Sequence, residues 1–511
     1  MLPDEVLLAI FHLCADEYSN LKYIEAWWRS LVHVCRRWRT VVFGSPRSLN
    51  LRLVFKLGRP RGLLDVWPAL PLIIWDGGWS GKSVNDVIAL LAHRHRVCQI
   101  NLMWTPSSRY LKKVSAAMQE PFLQLTNLVL QSYRLTMPVL PDSFLGGSAP
   151  RLRKLSLNRI PFPGLPKLLP SATQLVGLYL RNIPQSGYIS PEAMSTALST
   201  LTNLESLHLI FQFPLSSPNL AIRCPPPKPF VLPVLTSLKF QGASKYLEAL
   251  VTWVDAPQLS KLNITFSGRI VVGRPQLLQF IHRTPRLKAL ETARVSFNPN
   301  FAKVQLSSRG SGHGGVNIEI LCRDLGRQLS SLEQVFILSL PPLSTLENLY
   351  IYEVRYARLR SEPDRQDDNE IMPLLGLLHP FTAVKNFYLS GHIATRIGLF
   401  LRDLVGSRTT GVLLPSLENI FLEEWFELSG GAQEVGQFVA ARQVTTHPIT
   451  VTRLERFEDS DDDYDDDNGG LNEDDEDVDE DDEEDDEDED EDDIDRNDHN
   501  DNYNYDYDDW W

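Results

Sequence analysis

Leu70 to Ser83 reads LPLIIWDGGWSGKS, an apolar run followed by a glycine-rich loop that ends Gly81-Lys82-Ser83 and leads into a helix-like segment. A strand, a glycine loop and a helix in that order can cradle phosphate, with the lysine on phosphate and the serine on magnesium. The full pattern GxxxxGK[ST] requires glycine at the position held by Asp76, whose carboxylate opposes a nucleotide's charge. The stretch therefore reads as a strand-to-helix turn, with Ser83 near the helix N-cap. Gly310, Gly312 and Gly315 satisfy GxGxxG, but they precede the apolar run VNIEIL instead of following a strand and opening a helix. The dinucleotide reading fails on that context. His93 and His95, in HRHR, flank arginines and read as the solvated basic end of a helix, not a metal pair. GxSxG, HExxH and a coherent Cys/His nucleophile set are missing from the sequence. The chain is read as no enzyme, with no cofactor and no metal.

The chemistry left is recognition, and a repeat positions it. One pattern returns: an apolar residue, two others, an apolar residue, one other, an apolar residue. It appears as LTNLVL at Leu125, LRKLSL at Leu152, LVGLYL at Leu175, LESLHL at Leu204, LTSLKF at Leu235 and LSKLNI at Leu259. It returns as LENLYI at Leu346, VKNFYL at Val384 and LENIFL at Leu417, with VCQINL at Val97 as a weaker early copy. Helix-like segments lie between copies: Ser83–His95, Pro191–Leu201 and Arg396–Gly406. This is the LxxLxL core of a leucine-rich repeat, here irregular in length. The fourth and sixth positions of each copy point to one side of a short strand and line a common core. Each unit leaves its edge open until the next stacks on it. The expected fold class is α/β, an irregular leucine-rich-repeat solenoid over residues 48–457, begun by the strand-like run Ser48–Phe55. Between Leu287 and Leu346 the period blurs, and one irregular repeat is expected there, with a helix over Arg323–Phe336. Cys224–Pro233 (CPPPKPFVLP) reads as a stiff surface connector, and Ser307–Gly315 as a flexible Gly/Ser loop.

The third and fifth residues of each copy face away from the core. In the early copies they are mixed: Lys154 and Ser156, Ser206 and His208, Ser237 and Lys239, Lys261 and Asn263. The three clearest C-terminal copies repeat one choice: Asn348 and Tyr350, Asn386 and Tyr388, Asn419 and Phe421. On neighbouring strands about 4.8 Å apart these make an asparagine column beside an aromatic column. Exposed aromatics in a row suit an interface hot spot, so these six residues are the candidate substrate-binding set. A purely structural ladder is the competing expectation.

Ahead of the repeats, residues 1–47 read as short helices. Leu7, Ile10, Phe11 and Cys14 recur at one-face helical spacing after Pro3, Asp4 and Glu5, which suit a helix start. A second stripe runs Trp27, Leu31, Val34, Cys35, Trp38, Val41 and Val42, until Gly44 and Pro46 stop the helix. LPDEVLLAIF followed by VCRRWR resembles the F-box, the helical module that docks a protein onto the Skp adaptor of a cullin–RING ubiquitin ligase. The resemblance rests on Leu2, Pro3, Asp4, Glu5, Leu7, Leu8, Ile10 and Phe11, then Leu31, Val34, Cys35, Arg36, Arg37, Trp38 and Arg39. The usual leucine-rich middle is replaced by YSNLKYIEAWW, Tyr18 to Trp28. With the repeats, the chain is similar to the large set of F-box proteins of mushroom-forming fungi. That resemblance implies a substrate receptor, with Skp and cullin as partners and an unknown protein as substrate. It assigns Skp binding to Leu2, Pro3, Leu7, Ile10, Phe11, Leu31, Val34, Cys35 and Trp38. The alternative is a non-catalytic leucine-rich scaffold without ligase assembly.

Composition sets the remaining expectations. The formal charge of −16 is unevenly spread. From Glu458 to Trp511 there are 34 acidic residues against Arg496, a net of −33, which leaves residues 1–457 at +17. Residues 458–511 cannot collect enough apolar surface to fold and are expected to be a disordered acidic tail. Lysine and arginine in the body are dispersed, so nucleic acid is not the expected partner. Five scattered cysteines fit a reducing compartment, and no run approaches the roughly 20 apolar residues of a membrane span. The expected location is cytoplasmic and/or nuclear.

Overall fold

The computed structural model describes residues 2–454 except 18–25, 57–67, 76–83, 105–107, 133–136, 213–228, 268–275, 288–289, 309–313, 339–342, 355–370, 404–412, 424–430 and 444–447. These residues belong to one compact unit, Met1–Arg456. The Asp76–Ser83 loop, Gly310, Gly312, residues 224–228 of the proline-rich stretch and the acidic tail lie outside the described residues.

The unit is mixed α/β and is built on a 16-stranded sheet. It starts with β1 (Leu53–Lys56), β2 (Leu72–Trp75) and β3 (Val97–Trp104). Nine strands then begin at the third residue of a repeat copy. They are β4 (Asn127–Ser132), β5 (Lys154–Asn158), β6 (Gly177–Ile183), β7 (Ser206–Phe211), β9 (Ser237–Gly242), β11 (Lys261–Ser267), β15 (Asn348–Glu353), β16 (Asn386–Leu389) and β17 (Asn419–Glu423). β18 (Thr450–Leu454) closes the row, and β8 (Phe230–Val231) pairs with β10 (Val254–Asp255) as a separate two-stranded sheet. The first apolar residue of every copy is buried, from Leu125 to Leu417, and the fourth and sixth positions join it in the core.

One backbone motif joins successive copies. The carbonyl of the second residue accepts two N–H groups from the next copy. Thr126 takes Arg153 at 2.7 Å and Lys154 at 3.0 Å, and Arg153 takes Val176 at 2.8 Å and Gly177 at 3.0 Å. The same double acceptance recurs at Val176, Glu205, Thr236, Glu347 and Lys385. It locks the third residue of one copy opposite the third of the next, as in Asn127↔Lys154 and Asn386↔Asn419.

The interval from 287 to 346 departs from the expected single repeat. It holds three strands, β12 (Thr292–Asn298), β13 (Phe301–Ser307) and β14 (Gly315–Leu321). Their order in the sheet is reversed: β11 pairs in parallel with β14, β13 lies antiparallel between β14 and β12, and β12 pairs in parallel with β15. The reason is the short turn after Asn298, whose side chain accepts from Asn300 N at 3.0 Å. A two-residue turn delivers an antiparallel neighbour, whereas a parallel one needs a long crossover. Gly315 opens β14 at φ +133°, where a Cβ would lie 2.0 Å from the Leu306 carbonyl oxygen. This glycine serves close strand approach, not a ligand. The expected helix follows as Leu325–Leu338.

At the other end, α1 (Asp4–Glu17), α2 (Ala26–Val34) and α3 (Arg36–Gly44) pack into the same core as the repeats. The second apolar stripe is two helices, not one. Cys35 is extended at φ −159° and ψ 168°, and its Sγ accepts from Trp38 N at 3.4 Å as the N-cap of α3. Phe11 is wholly buried against Trp38, ring centroids 5.0 Å apart, and Trp28 donates its indole N–H to the Arg52 carbonyl just before β1. Emptying such a site removes both burial and packing. Phe11→Ala is therefore expected to destabilise the chain by about 3–5 kcal/mol in denaturant unfolding, and a loss under about 1 kcal/mol would contradict this packing.

Candidate functional site

The nine residues assigned to adaptor binding divide by burial. Leu7 and Phe11 are core residues, which α1 turns inward onto α3. Leu31 and Trp38 are half-buried and pack on that core. Leu2, Pro3, Ile10, Val34 and Cys35 are exposed. Ile10 thus leaves the face it was expected to share with Leu7 and Phe11. It joins two residues that the spacing argument passed over, Val6 and Leu13. Val6, Ile10 and Leu13 sit at i, i+4 and i+7, one stripe of α1. With Leu2 and Val34 they form the exposed apolar set here, at 52% (Leu2), 41% (Val6), 40% (Ile10), 71% (Leu13) and 58% (Val34) exposure. Val34 is thrown outward because the chain breaks at Cys35. Arg37 fixes α3 to the start of α1, donating to Asp4 Oδ1 at 2.9 Å and 2.6 Å and also to the Leu2 carbonyl.

The six residues of the C-terminal columns come together as expected. β15, β16 and β17 are adjacent, and their register sets Asn348, Asn386 and Asn419 in one row and Tyr350, Tyr388 and Phe421 in the next. Asn386 Nδ2 donates to Asn348 Oδ1 at 2.9 Å, and Asn419 Nδ2 donates to Asn386 Oδ1 at 2.9 Å. Tyr350 and Tyr388 stack with centroids 4.0 Å apart and planes 6° apart; Tyr388 and Phe421 follow at 4.5 Å and 10°. The Arg294 guanidinium lies 5.4 Å from the Tyr350 centroid and extends the column onto β12. Ring faces are spent on one another, so a partner would meet ring edges and the half-buried amides. Beyond the columns, Ser390 donates its hydroxyl to the buried Glu423 carboxylate.

Stacking also marks Tyr388 electrostatically. Burial first, then Tyr350 beside it and their hydrogen bond, push its phenol up to about 12. The raised folded value means that stability from the neutral phenol is complete below the ordinary value of about 10 and is lost as pH climbs through 10 to 12. Tyr388→Phe should flatten the fall of stability over that window, and an unchanged slope would show that Tyr388 titrates normally. In the amide row, Asn386→Ala strands a partner on each side and should cost about 1–3 kcal/mol. Asn348→Ala, at the end of the row, should cost less in the same melts.

No family model matches the chain, and no curated protein matches it. Among solved structures, the chain is similar to the leucine-rich repeat-containing protein LegL7 from Legionella pneumophila, at 13% identity and a TM-score of 0.26, over 75% of this chain and 97% of that one.

Proposed function

We propose that the chain is a receptor that joins two proteins: a Skp-type adaptor at its N-terminal helices and a protein substrate at the sheet face of a leucine-rich-repeat body. In that reading it is the F-box subunit of a Skp–cullin ubiquitin ligase. It contributes proximity and orientation to ubiquitin transfer, and the nucleophile comes from elsewhere. The observation that carries the proposal is the exposed stripe of Leu2, Val6, Ile10, Leu13 and Val34. Leu2, Val6, Ile10 and Val34 lie within the segments that resemble the F-box and Leu13 follows the first of them, and the stripe of Val6, Ile10 and Leu13 lies beside, not within, the face that α1 gives to its own core. An exposed apolar group of this kind marks a partner site. The columns of Asn348, Asn386 and Asn419 and of Tyr350, Tyr388 and Phe421 would supply the substrate-facing edge.

A second reading, a scaffold without ligase assembly, draws on the core contacts of Leu7, Phe11 and Trp28. Helices that complete the core beside β1 can serve simply as the cap that a repeat array requires. One variant separates the two. Ile10→Asp with Leu13→Asp alters exposed positions and should leave the melting temperature within about 2 °C, since surface changes are nearly neutral. Burying such residues at an interface is worth about 2 kcal/mol or more, so capture of purified Skp should fall roughly thirtyfold or more. No capture by the unaltered chain, or equal capture by the variant, would leave the cap reading standing.

A further inference from the structure

The asparagine and aromatic columns have two ends, and the ends differ. At β12 the aromatic column is closed: the register sets Arg294 opposite Tyr350, and its guanidinium lies 5.4 Å from the ring centroid. At β17 the last ring is Phe421, stacked by one face on Tyr388. The strand beyond, β18, sets Thr452 opposite it. A threonine side chain is too short to cover a phenyl ring. Arg453, the arginine of β18, pairs with Leu422 and so belongs to the other side of the sheet. Inside the column, ring faces are spent on one another. At its end, among the described residues, the half-buried Phe421 keeps one face without a stacking partner.

The amide column ends on the same strand, and it has a polarity. Asn386 donates to Asn348 and Asn419 donates to Asn386, each through Nδ2 at 2.9 Å. Every amide nitrogen is thus turned toward β15 and every amide oxygen toward β18. Asn419 Oδ1 is the terminal acceptor, and among the described residues no group donates to it. Its neighbour across the strands is the exposed Thr450. On the far side of Phe421, Glu423 lies two residues along β17 on the same face, about 7 Å away. The Ser390 hydroxyl already donates to its carboxylate. An open ring face, an amide acceptor and a carboxylate therefore follow one another along the outward side of β17. A group that uses all three is planar, positively charged and rich in N–H donors. A guanidinium has those properties: it stacks flat on an aromatic face and donates in its own plane. An ammonium is a strongly hydrated point charge without a plane to stack. Arg294 on Tyr350 shows the same pairing within the protein, at the opposite end of the column.

We propose that the β17 end of the columns, formed by Asn419, Phe421 and Glu423 beside Thr450 and Thr452, binds an arginine side chain of the protein substrate. The proposal rests on the columns being a substrate-facing surface and says what one end of them takes. Its test needs neither adaptor nor substrate, so its failure removes the arginine site alone and leaves the columns open to other side chains. The full chain, with 4-fluorophenylalanine in place of Phe421, is followed by fluorine NMR. It is titrated with a capped Gly-Arg-Gly peptide and with the same peptide carrying lysine or citrulline. The fluorine resonance should shift saturably with the arginine peptide. Binding should be about threefold or more tighter than for either of the others, the size of one exposed cation–π contact. Thr452→Arg supplies within the chain the guanidinium that Arg294 supplies at the other end, and it should abolish the shift. Lys113→Arg, on an exposed helix face, should leave it unchanged. A measurement on the unaltered chain guards against a perturbed variant: saturation transferred from the protein's aromatic protons should reach the arginine side chain more strongly than the flanking glycines. Equal binding of the three peptides, an unmoved fluorine resonance, full binding by Thr452→Arg, or even transfer along the peptide would each overturn the proposal.

Discussion

Everything on the sheet face depends on one carbonyl per repeat. The second residue of seven LxxLxL copies (Thr126, Arg153, Val176, Glu205, Thr236, Glu347 and Lys385) accepts two N–H groups from the following copy. Parallel strands alone tolerate a shift in pairing, and a one-residue slip would send every outward side chain into the core. The shared acceptor removes that freedom by tying the loop before one strand to the loop before the next. The leucines then bury in a common core, and the third and fifth positions stand in rows. Side-chain chemistry at those positions is thereby read out along the sheet, one residue per strand.

That constraint explains how one framework makes two different surfaces. In β15 to β17 the rows are uniform, so asparagine meets asparagine and ring meets ring, and the surface is zipped to itself. In β5 and β6 the rows are not uniform. Glycine at position 177 deletes one member of a row, the neighbouring ring collapses into the gap, and Lys154 is left beside a space instead of a side chain. A matched ladder consumes its own binding capacity. A mismatch leaves an open recess, and here Arg153 and Lys154 are among its lining residues.

Much of this was legible in the sequence because its cause is local. The strand starts follow from the repeat, and the Asn and aromatic rows follow from strand starts held in register. The division of α1 was less legible. Val6, Ile10 and Leu13 stand one residue before Leu7, Phe11 and Cys14, so apolar spacing alone does not tell which stripe faces the core. Only the packing of Phe11 on Trp38 decides it. The break at Cys35 was hidden because apolar spacing runs on through it, and a cysteine Sγ is a weak capping acceptor. The recess was hidden for a different reason. Gly177 occupies an ordinary motif position, and its effect needs the neighbours Lys154 and Tyr179 from two strands.

The reversed meander of β12 to β14 shows how a local signal can be present and still be missed. Phe301–Ser307 alternates Ala302, Val304 and Leu306 inward, and Asn-Pro-Asn before it is a turn signal. Both features describe a hairpin, but neither carries the LxxLxL pattern that defines the other strands. Its insertion has a consequence for the face. β13 runs against its neighbours and places Lys303 beside Glu319, whose carboxyl is pushed up by burial and held back by Lys303 and Lys239. The meander interposes strands that lack the LxxLxL pattern between β11 and β15, yet it carries the row on: Asn263 faces Asn317, Asn317 faces Gln305, Gln305 faces Arg294 and Arg294 faces Tyr350. The row of fifth positions thus runs in one register from Ser156 on β5 to Phe421 on β17, and what sets the self-stacked columns of β15 to β17 apart is the uniformity of their side chains, not a break in pairing.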